Sequence, residues 1–537
     1  MQKNPAGRPL TGGLSRARNR LEAWLWPPAA PETEQPIWRG IYLVAAAAFV
    51  ARLAVALRSL NFPYPDEIFQ YLEQGHRLAF GHGLIPWEFR VGMRSWLIPG
   101  SIGGLLAGLG AMGLGRPGVY LPAVRGLLCL LATSIVFSSY FLGRRLSGER
   151  AGRLAALFCA LWYELVYYAH KPLSDVLAVY ALVGALACVR GGPYRTRPLL
   201  LGALAAAGMV LRVQMAPLAL VLCFVVLLTR EKGTLPRFGI AFATVVMLAG
   251  LLDLFTWGAP FTYYVQSYRA NVVLGVSGVF GTAPYHWYLQ ALMAASAGLA
   301  GVALAWGVLR LRRAWLPMGA ILATLLPHML IGNKEYRYVF LVVPLLLVLL
   351  AQMVGDRSIG LEKLKPARIL TVAFTAIFLV LSTAGLSRAL PGQGLAYSLP
   401  PLLRQPNMDA YLFLARQKHV EGVLDLHQPW WASGGYFLFH HPVPLYHLSD
   451  LQSGVLPRND IHRYVSHLLC RTGQCRAEGF ERVAVFGDLE ILRQEGAPRA
   501  ADSNPRYSLH VFEQPTAVPP SSRSPGPAGQ DNRATTR

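Results

Sequence analysis

The stretch Trp38-Arg-Gly-Ile-Tyr-Leu-Val-Ala-Ala-Ala-Ala-Phe-Val-Ala-Arg-Leu-Ala-Val-Ala-Leu-Arg58, followed by Ser-Leu-Asn-Phe-Pro-Tyr-Pro-Asp66-Glu67-Ile-Phe-Gln70, decides how the rest of the chain reads. A bilayer crossing needs about 20 largely apolar residues. Here one such run ends directly in an acidic loop punctuated by proline. Apolar runs of this kind recur from Trp38 to roughly Leu390, after which the composition becomes ordinary.

The chain has 537 residues, 53% hydrophobic and only 15% charged, with a mean hydropathy of +0.36. Soluble domains carry about 25% charged residues, so a lipid bilayer is the natural solvent for this one. The net charge of +22 would suit nucleic acid. Its Lys and Arg residues, however, sit in short clusters between apolar runs, not on one basic face interleaved with aromatics, and nucleic-acid binding is set aside. Clusters of that kind mark loops retained in the cytoplasm.

The clusters lie at 144–153, 190–197, 230–237, 310–313 and 356–368. With the N-terminus inside, they place spans near 38–58, 121–142, 152–168, 172–189, 199–211, 214–229, 237–256, 286–309, 315–331, 337–353 and 368–387. The expected fold is therefore an all-α polytopic membrane protein of about 11 transmembrane helices. Residues 199–229 read as a hairpin turning at Arg212. The glycine-rich stretch 95–118 reads as a re-entrant or interfacial helix, because counting it as a span would put the 144–153 cluster outside.

Residues 1–37, basic and proline-containing without an apolar core, read as a cytoplasmic tail and not a signal peptide. The membrane domain is placed at 38–390, with its first outer loop at 59–95. A C-terminal domain is placed at 391–514, on the outer face. Strand-like runs such as Arg482-Val-Ala-Val-Phe486 alternate there with helical ones such as 408–417, which implies a small α/β domain. The Pro-, Ser- and Gly-rich end, 515–537, reads as disordered. Cys470 and Cys475 lie in the outer domain and can pair in an oxidising compartment. The other cysteines sit in apolar segments as small hydrophobes.

This threading gathers the ionisable residues on one side. Asp66, Glu67, His76, Glu88 and Arg94 fall in the first outer loop, Asp175 and Arg212 at outer turns, and Asp253 near an outer helix end. The tract 263–287 and the group His328, Lys334, Glu335 and Arg337 share that side. Ionisable groups near membrane depth are costly and mark function, so one outward-facing cavity is expected. On a helix, Asp66, Glu67, Gln70 and Glu73 would share roughly one stripe. An acid at a helix start stays ionised and suits a base that takes a proton from an attacking hydroxyl; it also suits a plain helix cap. Arg94, Arg212, Lys334 and Arg337 are the cations available to hold departing phosphate oxygens. No zinc signature, P-loop or dinucleotide-binding glycine motif is present, and neither metal nor cofactor is expected.

The run Pro65-Asp-Glu-Ile-Phe-Gln70 with Glu73, His76, Gly81-His-Gly83, Trp87-Glu88 and Arg94-Ser95 resembles the first luminal loop of the Alg9/PIG-B-like mannosyltransferases of the GT-C superfamily. Arg212 with Pro217, Asp253 before Gly258, Gly281 with Pro284-Tyr-His-Trp-Tyr288, and Lys334-Glu-Tyr-Arg337 with Pro344 extend the resemblance over about 300 residues. The family usually carries His where this chain has Tyr64, and His-Lys-Glu where it has Asn333-Lys-Glu335.

The resemblance implies an inverting glycosyltransferase, expected to move mannose or a related sugar from a polyprenyl-phosphate donor to a lipid-linked or glycan acceptor. Asp66 would be its base, with Glu67 beside it. His76, Glu88, Tyr285, His286, Trp287 and Glu335 are the expected substrate-binding residues. The Ala-, Arg-, Gly- and Leu-rich composition points to a bacterial inner membrane with a periplasmic site, or to the endoplasmic reticulum in a eukaryote. The rival classes are an enzyme of the same fold moving another sugar or glycan, and a transporter or flippase. A transporter predicts internal repeats and charges near mid-bilayer.

Overall fold

The computed structural model describes residues 37–189, 195–229, 231–355, 376–385, 402–475 and 478–495, with Asn504 and Tyr507. The 515–537 tail, nearly all of the 1–37 tail and the 356–368 cluster lie outside these residues. Among the described residues, helices Gly40–Arg58, Pro117–Ser147 and Thr234–Trp257 are long and apolar enough to cross a bilayer. Only 17% of the most apolar window of Thr234–Trp257 is buried. Its side chains therefore point mostly outward, as an apolar surface facing a membrane or a partner does.

The expected spans differ from the helices in continuity. Leu97–Ala111, Ser174–Ala187, Pro198–Leu211, Val213–Leu228, Val342–Gly355 and Ala376–Gly385 are apolar helices of 10–17 residues. Length and composition alone thus support three full crossings, or four with one bent pair, where charge threading suggested about eleven. Breaks in the apolar runs account for the short lengths. Residues 199–229 turn at Arg212, whose φ of −146° leaves the helical region. The expected straight span at 286–309 is instead Trp287–Ala295 and Leu299–Leu309, bent by 111°. Ala297 and Gly298 adopt left-handed φ values of 49° and 87° there. The Ser296 hydroxyl accepts the Ala300 N–H at 2.9 Å and starts the second helix.

Arg52, inside the first span, is fully buried and gives its guanidinium to the Cys159 and Leu165 carbonyls at 3.0 and 3.4 Å. Pairing of this kind is what makes a charge tolerable at that depth.

After the first span the backbone forms a π-turn at Glu67–Leu72 and continues as helix Glu73–Phe80, which Gly81 ends at φ 82°. The single-stripe expectation for Asp66, Glu67, Gln70 and Glu73 fails here, because a wider turn changes the angle between successive side chains. Leu97–Ala111 packs on Glu73–Phe80 through glycines. A Cβ on Gly75 would lie 2.7 Å from Ile102 Cγ2, and one on Gly103 would lie 2.9 Å from Leu78 Cδ2. Its fifteen residues extend about 22 Å, short of the roughly 30 Å hydrocarbon layer.

The C-terminal region carries a five-stranded sheet in the order β2-β1-β3-β5-β4. The strands are β1 Val423–Asp425, β2 Leu445–His447, β3 His467–Arg471, β4 Phe480–Phe486 and β5 Leu489–Gln494. β1 pairs in parallel with β2 and β3, while β5 is antiparallel to β3 and β4. Cys470 and Cys475 are disulfide-bonded. This region is continuous with the helical core, since Met408, Tyr411, Phe437, Leu445 and Ile491 belong to the same apolar cluster as the membrane helices. Leu60, leaving the first span, also forms an isolated parallel bridge with Arg404: its N–H reaches Leu403 O at 3.1 Å and its carbonyl accepts the Gln405 N–H at 2.9 Å.

Candidate active site

Asp66 follows Tyr64-Pro65, where proline disfavours helix in the residue before it and allows helix after it. Its carboxylate is 24% exposed and accepts two side chains. Arg337 Nη2 meets Oδ2 at 2.6 Å, and Gln70 Nε2 meets Oδ1 at 2.9 Å. Burial works against its charge, but the guanidinium groups of Arg337, Arg94 and Arg212 outweigh it and hold the carboxyl below its ordinary range. Asp66 is therefore ionised across the physiological range. A carboxylate has about four lone-pair sites, so room remains for an incoming hydroxyl.

Three arginines and three further acids form one network around it. Glu335 Oε2 holds Arg337 Nε at 2.6 Å and its Oε1 accepts the Tyr338 hydroxyl at 2.7 Å. Asp175, at the start of helix Ser174–Ala187, lies 2.8 Å from Arg212 and 3.9 Å from Arg337. Glu88 lies 3.8 Å from Arg94 and accepts Gln70 Nε2 at 2.8 Å. Beside this network Arg94, Ser95, Tyr71, Ser174, Arg212 and Tyr263 line a cleft open to solvent. Arg94 and Arg212 are thus the cations that face free space. Arg337, also counted beforehand as a phosphate ligand, is already engaged by three carboxylates.

Other expected site residues stand elsewhere. Glu67 is fully buried and pairs with Lys171 at 3.1 Å, away from solvent. Burial raises its pKa against the pull of Lys171, and lowers that of Lys171 to about 8 against the pull of Glu67. Lys171 is fixed by the Asn61 carbonyl at 2.6 Å. Lys334 gives its ammonium to the carbonyls of His328, Met329 and Ile331. It closes the C-terminal end of helix Leu311–Leu330, where unpaired carbonyls attract a cation.

His76, expected to touch substrate, is sealed. Its Nδ1 meets the His82 carbonyl at 3.2 Å and its Nε2 meets His440 Nδ1 at 3.0 Å. Burial and the neighbouring His82 and His440 push its pKa well down, so it is a neutral packing group between the first outer loop and the C-terminal region. In the aromatic tract, Tyr285 and His286 are exposed and Trp287 is half-buried against the core. The buried member is Tyr288, with Lys334 Nζ 5.5 Å from its ring.

Sequence reasoning placed Gln70 on the acidic stripe without a role and gave Asp175 none. The i, i+4 spacing of Asp66 and Gln70 was a usable signal for the first. An acid opening an apolar helix was the signal for the second.

The fold is shared with a protein of known structure. ArnT from Cupriavidus metallidurans, solved bound to undecaprenyl phosphate, aligns with a TM-score of 0.51 at 15% identity over 84% of this chain and 97% of that one. The sequence carries the finer assignment. Residues 43–440 match the model of the Alg9-like mannosyltransferase family, and the chain belongs to that family.

Among its relatives are GPI mannosyltransferase 3 of Yarrowia lipolytica, 29% identical over 60% of this chain and 63% of that one, and mannosyltransferase APTG1 of Arabidopsis thaliana, 26% over 55% and 56%. GPI alpha-1,2-mannosyltransferase 3 of Mus musculus is 26% identical over 64% of this chain and 65% of its own. This chain thus spans less than two thirds of the length of each of these relatives.

Proposed function

We propose that the protein is an inverting mannosyltransferase that takes its sugar from a polyprenyl-phosphate donor and passes it to a hydroxyl of a glycan or glycolipid, on the outer face of its membrane. The observation that carries this reading is the placement of Asp66: it is the partly open carboxylate of the first-loop motif, among Arg337, Arg94 and Arg212 and next to a cleft that two of those arginines line. Family membership and the names of the relatives support mannose as the sugar and a transferase over a transporter. The lipid in the ArnT complex supports a lipid-linked donor. The basic clusters between apolar runs support an inside N-terminus and an outward site, in a bacterial inner membrane or, in a eukaryote, the endoplasmic reticulum.

In the reaction the acceptor hydroxyl bonds a free lone pair of Asp66 and gives it the proton. The hydroxyl oxygen forms the new bond to the anomeric carbon from the face opposite the donor phosphate. The old bond from that carbon to the phosphate oxygen breaks, and its electron pair leaves with the phosphate toward Arg94 and Arg212. Fixed cations there stabilise the charge as it develops, and a phosphate needs no general acid to depart.

Transfer of labelled mannose from polyprenyl-phosphate mannose into a lipid or glycan product tests this. Asp66→Asn is expected to lower turnover by about 100- to 10,000-fold while the protein still purifies as a monodisperse species. Substantial residual transfer would reject Asp66 as the base.

A further inference from the structure

Gln70 and Asp175 have no part in the chemistry just described, yet both stand between Asp66 and the cations of the cleft. One path leaves Asp66 Oδ1 for Gln70 Nε2 at 2.9 Å, continues from that nitrogen to Glu88 Oε1 at 2.8 Å, and reaches Arg94 at 3.8 Å. The other leaves Oδ2 for Arg337 at 2.6 Å, passes from Arg337 Nε to Asp175 Oδ2 at 3.9 Å, and reaches Arg212 Nε from Oδ1 at 2.8 Å. Each path ends on a guanidinium that lines the cleft.

Both intermediaries are sealed, Gln70 at 3% exposure and Asp175 at 1%. The orientation of the Gln70 amide is fixed by chemistry, since two carboxylate oxygens face one end and only the NH2 group can donate to both. Asp175 likewise offers one oxygen to each arginine.

We propose that Gln70 and Asp175 are positioning residues that tie Asp66 to the two cations of the cleft, so that a phosphate bound there resets the base; this rests on the donor reading given above. A phosphate on Arg94 and Arg212 competes with Glu88 and Asp175 for those cations and cancels positive charge felt at Asp66. The proton affinity of Asp66 then rises as the donor enters. Asp66 is bonded by Gln70 on its own turn and by Arg337, and Arg94, Arg212 and Glu88 lie near enough to act on its charge. Tyr64, Glu335 and Asp175 stand behind Arg337, and the phosphate alters the balance at Arg94 and Arg212. The base is strongest when there is a sugar to transfer, and water or acceptor is not deprotonated beforehand.

Calorimetry on the purified full chain near pH 5, with polyprenyl phosphate as probe in two buffers of different ionisation enthalpy, reads the proton count on binding. Wild type is expected to take up more protons than Asp66→Asn. Gln70→Leu is expected to bind and to lose that excess. For Asp175→Asn, removal of a negative charge beside Arg212 would by itself tighten phosphate binding. A positioning role predicts the reverse, about tenfold weaker binding.

Equal uptake by wild type and Asp66→Asn would overturn the inference, as would Asp175→Asn binding as tightly as wild type. Should either positioning variant fail to fold, the comparison of wild type with Asp66→Asn still decides. Wild type that does not bind polyprenyl phosphate would overturn the donor reading itself, and the inference with it.

Discussion

Asp66 and Glu67 are neighbours in sequence and occupy opposite environments. Asp66 is 24% exposed and shares three arginines with other acids, whereas Glu67 is sealed against Lys171 with neither group reaching solvent. A third acid, Glu73, extends the sealed side. Its carboxylate takes backbone N–H groups from Leu84 at 2.8 Å, Tyr436 at 3.1 Å and Phe437 at 2.8 Å, and so fastens the C-terminal region onto the first outer loop. Gly435, at φ 57°, leaves the necessary space, since a Cβ there would lie 2.7 Å from Glu73 Oε2. One short segment thus has a chemical side and a holding side, and the residue types alone do not distinguish them.

The contrast is broken most sharply at Glu67. Glu67→Ala leaves Lys171 buried without its partner, and a buried pair cut on one side costs about 3–5 kcal/mol. Thermal unfolding of the purified protein checks this, and a variant as stable as wild type would show that Glu67 is not a holding group. Asp66→Asn sets the other pole, with turnover lost and the unfolding temperature little changed.

Glu73 sharpens the comparison through pH. Burial, acting against three backbone donors and Arg77, pushes its pKa up to about 7. A carboxyl whose folded pKa is raised stabilises the fold fully below its unfolded value near 4.5 and loses that contribution as pH rises through about 7. Unfolding temperature is therefore expected to fall across that window, and Glu73→Gln to flatten the slope. An unchanged slope would mean that Glu73 does not titrate in its socket.

The smallest effect belongs to Lys334. As a helix-end cation it contributes about 0.3–1 kcal/mol, and Lys334→Met is expected to leave donor KM near wild type. Arg212→Gln should raise donor KM strongly in the same assay. Equal effects of the two would return Lys334 to the phosphate site.

Much of this was legible beforehand because it depends on local pattern. The first span, the turn at Arg212, the acid after the Tyr64-Pro65 step and the cationic Lys334-Glu-Tyr-Arg337 turn all follow from hydropathy and residue type. The π-turn was not legible, since a wider turn leaves no mark in apolar spacing. The bend at Ala297 was hidden because its left-handed φ falls on a residue that rarely adopts it. His76 looked like a ligand because its partner, His440, lies 364 residues away in sequence.

The sequence by itself determined the bilayer as solvent, the family, and the candidate acids and cations. Only the tertiary structure decided that Asp66 is open while Glu67 is sealed, that Lys334 caps a helix, and that Gln70 and Asp175 stand between base and cleft. The reason is physical: hydropathy and turn chemistry act between neighbours along the chain. Whether a charge is solvated, paired or held against a second charge depends on residues 104 to 271 positions away, which meet only when the fold is complete.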